Sequence, residues 1–265
     1  MLLTRALSAL VLAPIVIAAT MLGGWALVVF LGVALGVASR EYVGLLERGG
    51  AHPSWGVAVV WIVMLLLDPM LPEAHLASLA ISVILIGSLT WQMTRRSATA
   101  AADWALANAG GLYLGWAGQH FIRIRFLDAT GAWLILTLAA VWLADTGAYL
   151  VGTRWGRHKM TPTLSPKKSW EGLIGGMLTA IALSALLASA LNLPPIHGAA
   201  LGLIGALAGT LGDLSISMMK RQVGAKDSGH LIPGHGGALD RLDSLLFVAI
   251  VGYLYLIGFA GLRPA

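Results

Sequence analysis

The chain has no cysteine. That excludes disulfides, thiolate metal sites and a cysteine nucleophile, and it leaves the compartment open. Charge is scarce too: Asp, Glu, Lys and Arg make up 11% of the 265 residues, with 12 acids against 17 Lys and Arg. Soluble domains carry about 25% charged residues, so so few charges exclude an ordinary soluble domain. What fills the space is apolar. Hydrophobic residues are 58% of the chain and the mean hydropathy is +0.82. No water in a bilayer can satisfy backbone N–H and C=O groups, so such a chain should cross as helices. The net charge of +5 is not a nucleic-acid footprint. The basic residues sit in short loops between apolar runs, where an anionic membrane surface or anionic substrates explain them. No soluble domain, solenoid repeat or low-complexity tail interrupts the pattern.

The apolar runs predict an all-α, polytopic integral membrane bundle of about nine transmembrane helices. The expected spans are 6–22 and 24–40, joined at Gly23-Gly24, then 55–67, 74–93, 104–121, 132–151, 173–191, 199–219 and 243–262. Arg5 ahead of an apolar run resembles a signal peptide, but the apolar pattern resumes at once after the glycines, which favours two spans. His52-Pro53 breaks the chain before the third span, and a proline-bounded loop, residues 68–73, precedes the fourth. The fifth is the most polar, carrying Asn108, Gln119 and His120. His52, His75, His120 and His197 have no carboxylate at ligand spacing and read as loop or interface residues. The expected division is 1–130, spans one to five, and 131–265, a catalytic region of spans six to nine.

With the N-terminus placed in the cytoplasm, only Arg123, Arg125 and Arg263 fall outside, and the other 14 of the 17 Lys and Arg fall inside. Such an asymmetry fixes orientation by the positive-inside rule. It puts the basic loop 154–170 and the polar stretch 212–243 on one side of the membrane.

That polar stretch carries the densest chemistry. Between two apolar spans lie Asp213, Asp227, Asp240 and Asp243, with Lys220, Arg221, Lys226 and Arg241, and the turn Pro233-Gly234-His235-Gly236-Gly237. Asp240 and Asp243 share a face if their turn is helical. Asp213 and Asp145 lie inside spans, where an ionisable group marks a site or an ion pair. Mg²⁺ takes one or two carboxylates plus substrate phosphates, which suits these acids; the plainer reading is that Asp240 and Asp243 cap a helix. Glycines before a helix start let backbone N–H groups approach a phosphate, and any tight loop uses them as well. Ser165-Pro166-Lys167-Lys168-Ser169-Trp170-Glu171-Gly172 offers two lysines beside a helix start, for a polyphosphate or headgroup or simply as a topology signal.

Ser217-x-x-Lys220-Arg221-x₄-Lys226-Asp227-x-Gly229-x₂-Ile232-Pro233-x-His235-Gly236-Gly237-x-x-Asp240-Arg241-x-Asp243 resembles the signature of phosphatidate cytidylyltransferases (CDP-diacylglycerol synthases). Asp145-x-Gly147-Ala148-Tyr149-x-x-Gly152 and the run Ser165–Gly172 look like upstream blocks of that family. The likeness of motifs covers residues 145 onward. The first 140 residues agree in hydropathy alone. Ala238 and Ser169 depart from the larger aliphatic and the threonine commoner in the family, and both keep the chemistry.

The resemblance implies transfer of CMP from CTP to phosphatidic acid, giving CDP-diacylglycerol and pyrophosphate at a bacterial inner membrane, with the site facing the cytoplasm. It implies Mg²⁺ on Asp213 and Asp240, with Asp243 and Asp145 supporting it or holding a second cation, divalent or K⁺. Asp213, Asp240, Lys226 and Arg241 are the expected catalytic residues. Ser165, Lys167, Lys168, Lys220, Arg221, His235, Gly236 and Gly237 are the expected substrate-binding set. Phosphatidic acid, CTP and membrane lipids are the expected partners, and a homodimer is compatible with the family. Two other readings stay open: a CTP-dependent polyprenol- or phytol-type lipid kinase, and a secondary transporter.

Overall fold

The computed structural model describes residues 2–95, 98–231 and 236–263. Among them are nine α-helices: α1 (Leu2–Leu22), α2 (Gly24–Arg48), α3 (Trp55–Leu67), α4 (Leu76–Met93), α5 (Ala100–Arg125), α6 (Ala132–Trp155), α7 (Trp170–Ala190), α8 (Pro195–Gln222) and α9 (Leu239–Gly258). Each answers to one expected span. Six of them, α2, α4, α6, α7, α8 and α9, are long and apolar enough to cross a membrane, and α1 and α3 contribute shorter apolar helices at Leu10–Leu22 and Trp55–Met70. The chain is an all-α polytopic membrane protein.

Local chemistry explains the breaks. Gly23 sits at φ 60° between α1 and α2, a backbone that glycine adopts without strain. Ser54 caps α3, its side chain accepting from Val57 N, as serine does at helix starts. The proline-bounded loop forms two short 3₁₀ turns, Asp68–Met70 and Pro72–Ala74, and Asp68 Oδ1 accepts from Ala77 N at 2.9 Å in the first turn of α4.

Two expectations are corrected. The second span ends at Arg40 by hydropathy, yet α2 runs on to Arg48. Its extension is amphipathic: Tyr42, Val43 and Leu45 are buried while Arg40 and Glu47 pair on the exposed side. The expected loop 154–170 is built instead from the end of α6 and an antiparallel hairpin, β1 (Lys159–Thr161) with β2 (Ser165–Ser169), in which Lys159 faces Ser169 and Thr161 faces Ser165.

The chain divides into two compact units. The first comprises residues 1–122 and 219–242. Here the polar residues of α5 find partners: Trp61 Nε1 donates to Asn108 Oδ1 at 2.8 Å, and Asn108 Nδ2 donates to Ser88 Oγ at 3.2 Å. Hydrogen bonds of this kind join helices where apolar contact alone has little driving force. His120, expected at a loop or interface, is buried in α5 with Nδ1 2.6 Å from Trp116 O. The second unit comprises residues 123–218 and 243–265. Its centre is small and apolar, with Ala144, Ala180 and Ala206 in one cluster and Val141, Ala208 and Val248 in another.

Candidate active site

In the second unit, a cavity of about 640 Å³ is lined by Asp145, Gly152 and Gly156 of the α6 region, Lys159 of β1, Lys167 and Lys168 of β2, and Thr210 of α8. Lys168 Nζ pairs with Asp213, one turn after Thr210 on α8, and Ser217 Oγ donates to Asp213 Oδ1 at 3.4 Å. The Asp213 side chain keeps 27% of its surface exposed, so its carboxylate is reachable although it lies within a span. The close approach of α9 beside it depends on Gly212: a Cβ there would stand 2.3 Å from Asp243 O. Asp243 itself is buried, with Oδ1 accepting from Ser244 N at 2.6 Å.

The hairpin that carries the lysines is held at its base. Ser169 caps α7 by accepting from Gly172 N at 3.2 Å, and Trp170 N donates to His158 O at 3.0 Å. Glu171 accepts from Arg157 N at 3.1 Å and from His158 N at 3.2 Å, with His158 Nδ1 2.5 Å away. Glu171 was not among the expected site residues. Its position two residues after the cap, facing the backbone that leads into β1, is what makes it useful, and that pairing is invisible in a linear reading.

In the first unit the polar stretch folds around Asp240. Lys220 Nζ lies 2.6 Å from Asp240 Oδ1, and the two side chains are only 8% and 6% exposed. Oδ2 accepts from Ser228 N at 2.8 Å, Ser228 Oγ at 2.9 Å and Gly237 N at 3.0 Å. Lys220 thus pairs with a buried carboxylate, where the resemblance implies a phosphate. Arg221 Nη1 donates to Ala225 O at 2.8 Å. Lys226 and Arg241 are exposed. The glycine turn was expected to offer amides to a phosphate, but the Gly237, Ala238 and Leu239 amides donate to carboxylates of Asp240 and Glu41. His235, with Ile232, Pro233 and Gly234, lies outside the described residues. Glu41 and Ser228 were also missed; Glu41 stands nearly 200 residues from the groups it meets.

The chemistry of the second-unit cavity suits Mg²⁺. Asp145 and the Lys168–Asp213 pair supply hard oxygen, with neither thiolate nor imidazole at the wall. Among the described residues no three His, Asp or Glu gather into a ready cage. Asp240 fits less readily: a cation there would compete with Lys220 and three other donors.

Comparison with known proteins gives a consistent answer. The model of the Cytidylyltransferase family matches residues 3–259. A phosphatidate cytidylyltransferase of Synechocystis sp. is 33% identical, with 96% of each chain covered. One from Brucella suis is 35% identical over 95% of this chain and 92% of its own. A third, from Bacillus subtilis, is 40% identical over 55% of each. With the family match running from α1 through α9, and near-full-length relatives above 30% identity, this chain belongs to the cytidylyltransferase family.

Proposed function

We propose that the protein is a phosphatidate cytidylyltransferase, transferring CMP from CTP to phosphatidic acid with release of pyrophosphate. The observation that carries this reading is the cavity of Asp145, Lys159, Lys167 and Lys168 beside Asp213, in a chain that matches the family almost end to end. A phosphatidate oxygen attacks the α-phosphorus of CTP. A new P–O bond forms as the bond from the α-phosphorus to the bridging oxygen breaks, and pyrophosphate leaves with that electron pair. No protein nucleophile is required, so the residues work by positioning and by neutralising crowded phosphates.

Lys159, Lys167 and Lys168 hold phosphate oxygens, and Ser165 sits at the start of the strand that carries two of them. Asp213 and Asp145 would hold Mg²⁺, with Asp243 supporting that set or a second cation, divalent or K⁺; the metal supplies charge neutralisation and orientation of phosphate oxygens. Asp240, assigned to the same metal by resemblance, would have to release Lys220 to bind it. Lys226, Arg221 and Arg241 are exposed cations of the stretch 219–242 and are assigned to phosphates, together with His235 and Gly236. The membrane is a bacterial inner membrane, and the site faces the cytoplasm, in keeping with the asymmetry of basic residues.

The experiment is CTP-dependent turnover of phosphatidic acid by the detergent-purified protein, with Asp213→Asn and Asp240→Asn alongside. Pyrophosphate and CDP-diacylglycerol are the expected products; release of CDP instead would establish a kinase. Asp213→Asn should lower kcat by about two orders of magnitude, the size of effect seen when a group stabilising transition-state charge is lost. Near-wild-type turnover in both variants would remove the metal assignment.

A further inference from the structure

Glu41 stands outside every motif, in a part of the chain whose sequence offered only hydropathy. We propose that Glu41 is a positioning residue for the transfer: from α2 it sets the start of α9 and the Ser228 segment, and through them the places of Asp240 and Lys220. The inference rests on the cytidylyl-transfer reading.

Its two oxygens accept three hydrogen bonds, from Ser228 Oγ at 2.9 Å, Ala238 N at 3.0 Å and Leu239 N at 2.9 Å. The first N–H groups of a helix have no partner within the helix, and a side chain close in sequence usually caps them. Here the cap comes from 198 residues away. A carboxylate is well matched to the positive end of the helix dipole.

Space confirms how closely the segment wraps around this acid. A Cβ at Gly237 would lie 2.2 Å from Glu41 Oε2, and one at Gly229 would lie 2.5 Å from Oε1. Glycine at both positions is what lets the backbone reach the carboxylate.

Ser228 joins the two acids. Its Oγ is 2.9 Å from Glu41 Oε2 and 2.9 Å from Asp240 Oδ2. A hydroxyl has one proton to give, so the two carboxylates share a single donor and neither can move without the other responding. Asp240 in turn holds Lys220. The corner holds two carboxylates, Glu41 and Asp240, against the single ammonium that pairs with Asp240, which makes it unattractive to a phosphate. Glu41 therefore acts on catalysis through other residues and makes no contact with substrate.

The test uses the full chain in detergent, with Glu41→Gln, Glu41→Asp, Ser228→Ala and the double variant Glu41→Gln/Ser228→Ala, assayed for pyrophosphate release. Glu41→Gln should lower kcat by about tenfold or more while the KM values for CTP and lipid stay within about threefold, the pattern of a lost transition-state contribution. Glu41→Asp should recover part of kcat. Because the two residues act on one hydroxyl, the double variant should lose no more than the worse single variant. Wild-type kcat in Glu41→Gln, or a double loss equal to the product of the single losses, would overturn the proposal.

If Glu41→Gln does not fold, Ser228→Ala keeps the cap and removes only the bridge, and unchanged kcat there counts against the proposal. Amide exchange gives a readout apart from activity: Ala238 and Leu239 should exchange faster in Glu41→Gln, and equal rates would refute the cap. A wild-type protein that makes neither pyrophosphate nor CDP-lipid would refute the cytidylyl-transfer reading and leave the exchange result standing.

Discussion

Lys220→Met isolates the buried ion pair of the first unit. Methionine keeps the length and apolar volume of the lysine stem, so the main change is loss of the ammonium 2.6 Å from Asp240 Oδ1, in a place where both side chains are less than a tenth exposed. Removing one member of a buried pair costs about 3–5 kcal/mol, chiefly because the other charge is left uncompensated. The lower end applies here, about 3 kcal/mol, since Ser228 N, Ser228 Oγ and Gly237 N continue to donate to Oδ2. For a chain of this size each kcal/mol moves the unfolding midpoint by about 2–4 °C, so a fall of roughly 6–12 °C is expected. The assay is thermal unfolding in detergent, with turnover measured in parallel. Adding Asp240→Asn to Lys220→Met removes the orphaned charge and should recover about half of the lost stability without restoring activity. A midpoint for Lys220→Met within about 2 °C of wild type, or a further drop on adding Asp240→Asn, would refute the reasoning.

Two further outcomes follow from the second unit. Glu171→Gln weakens the clamp on the His158 backbone and loosens the hairpin that carries Lys167 and Lys168. Steady-state kinetics should show the KM for CTP rising by about three- to tenfold with a smaller change in kcat, and an unchanged KM would separate Glu171 from the lysines. Asp128, in the loop before α6, is pulled two ways: burial raises its pKa, and hydrogen bonds from the Thr130 hydroxyl and the Ala132, Trp133 and Thr130 amides outweigh that and lower it below the ordinary 3.8. A lowered folded-state value means stability that is fully present above 3.8 and is lost as the pH falls through the folded value. Asp128→Asn should therefore be less stable than wild type near neutral pH, with the gap closing in acid. A gap that is constant with pH in thermal unfolding would count against that account.

Hydropathy made the helices legible because a bilayer leaves the backbone no other choice, and α3 (Trp55–Leu67) matches its expected span residue for residue. It read less well where helices leave the apolar zone. The extension of α2 past Arg40 is half polar, and its buried side is visible only once Tyr42 is seen donating to Leu106 O at 3.1 Å. The hairpin at Lys159–Ser169 was missed because Pro162, Pro166 and three lysines read as loop, while its pairing depends on the end of α6 and the start of α7. At the site, residue types pointed to acids and cations but not to their partners. Lys220 and Asp240 are twenty residues apart and meet only because the intervening stretch turns back on itself. Glu41 reads as part of the polar end of the second span, with Arg40, Glu47 and Arg48, and its role depends on contacts that no local pattern encodes.

The distant cap on α9 also has a consequence in time. A ribosome adding about 5–20 residues per second reaches Leu239 roughly 10–40 s after it has made Glu41, given their separation of 198 residues. Throughout that interval the carboxylate must stay hydrated, which holds its end of α2 at the water boundary while later helices enter the membrane. The corner around Asp240 can organise only when the last helix arrives, so a chain interrupted before α9 carries its membrane anchor without a formed Glu41–Ser228–Asp240 bridge.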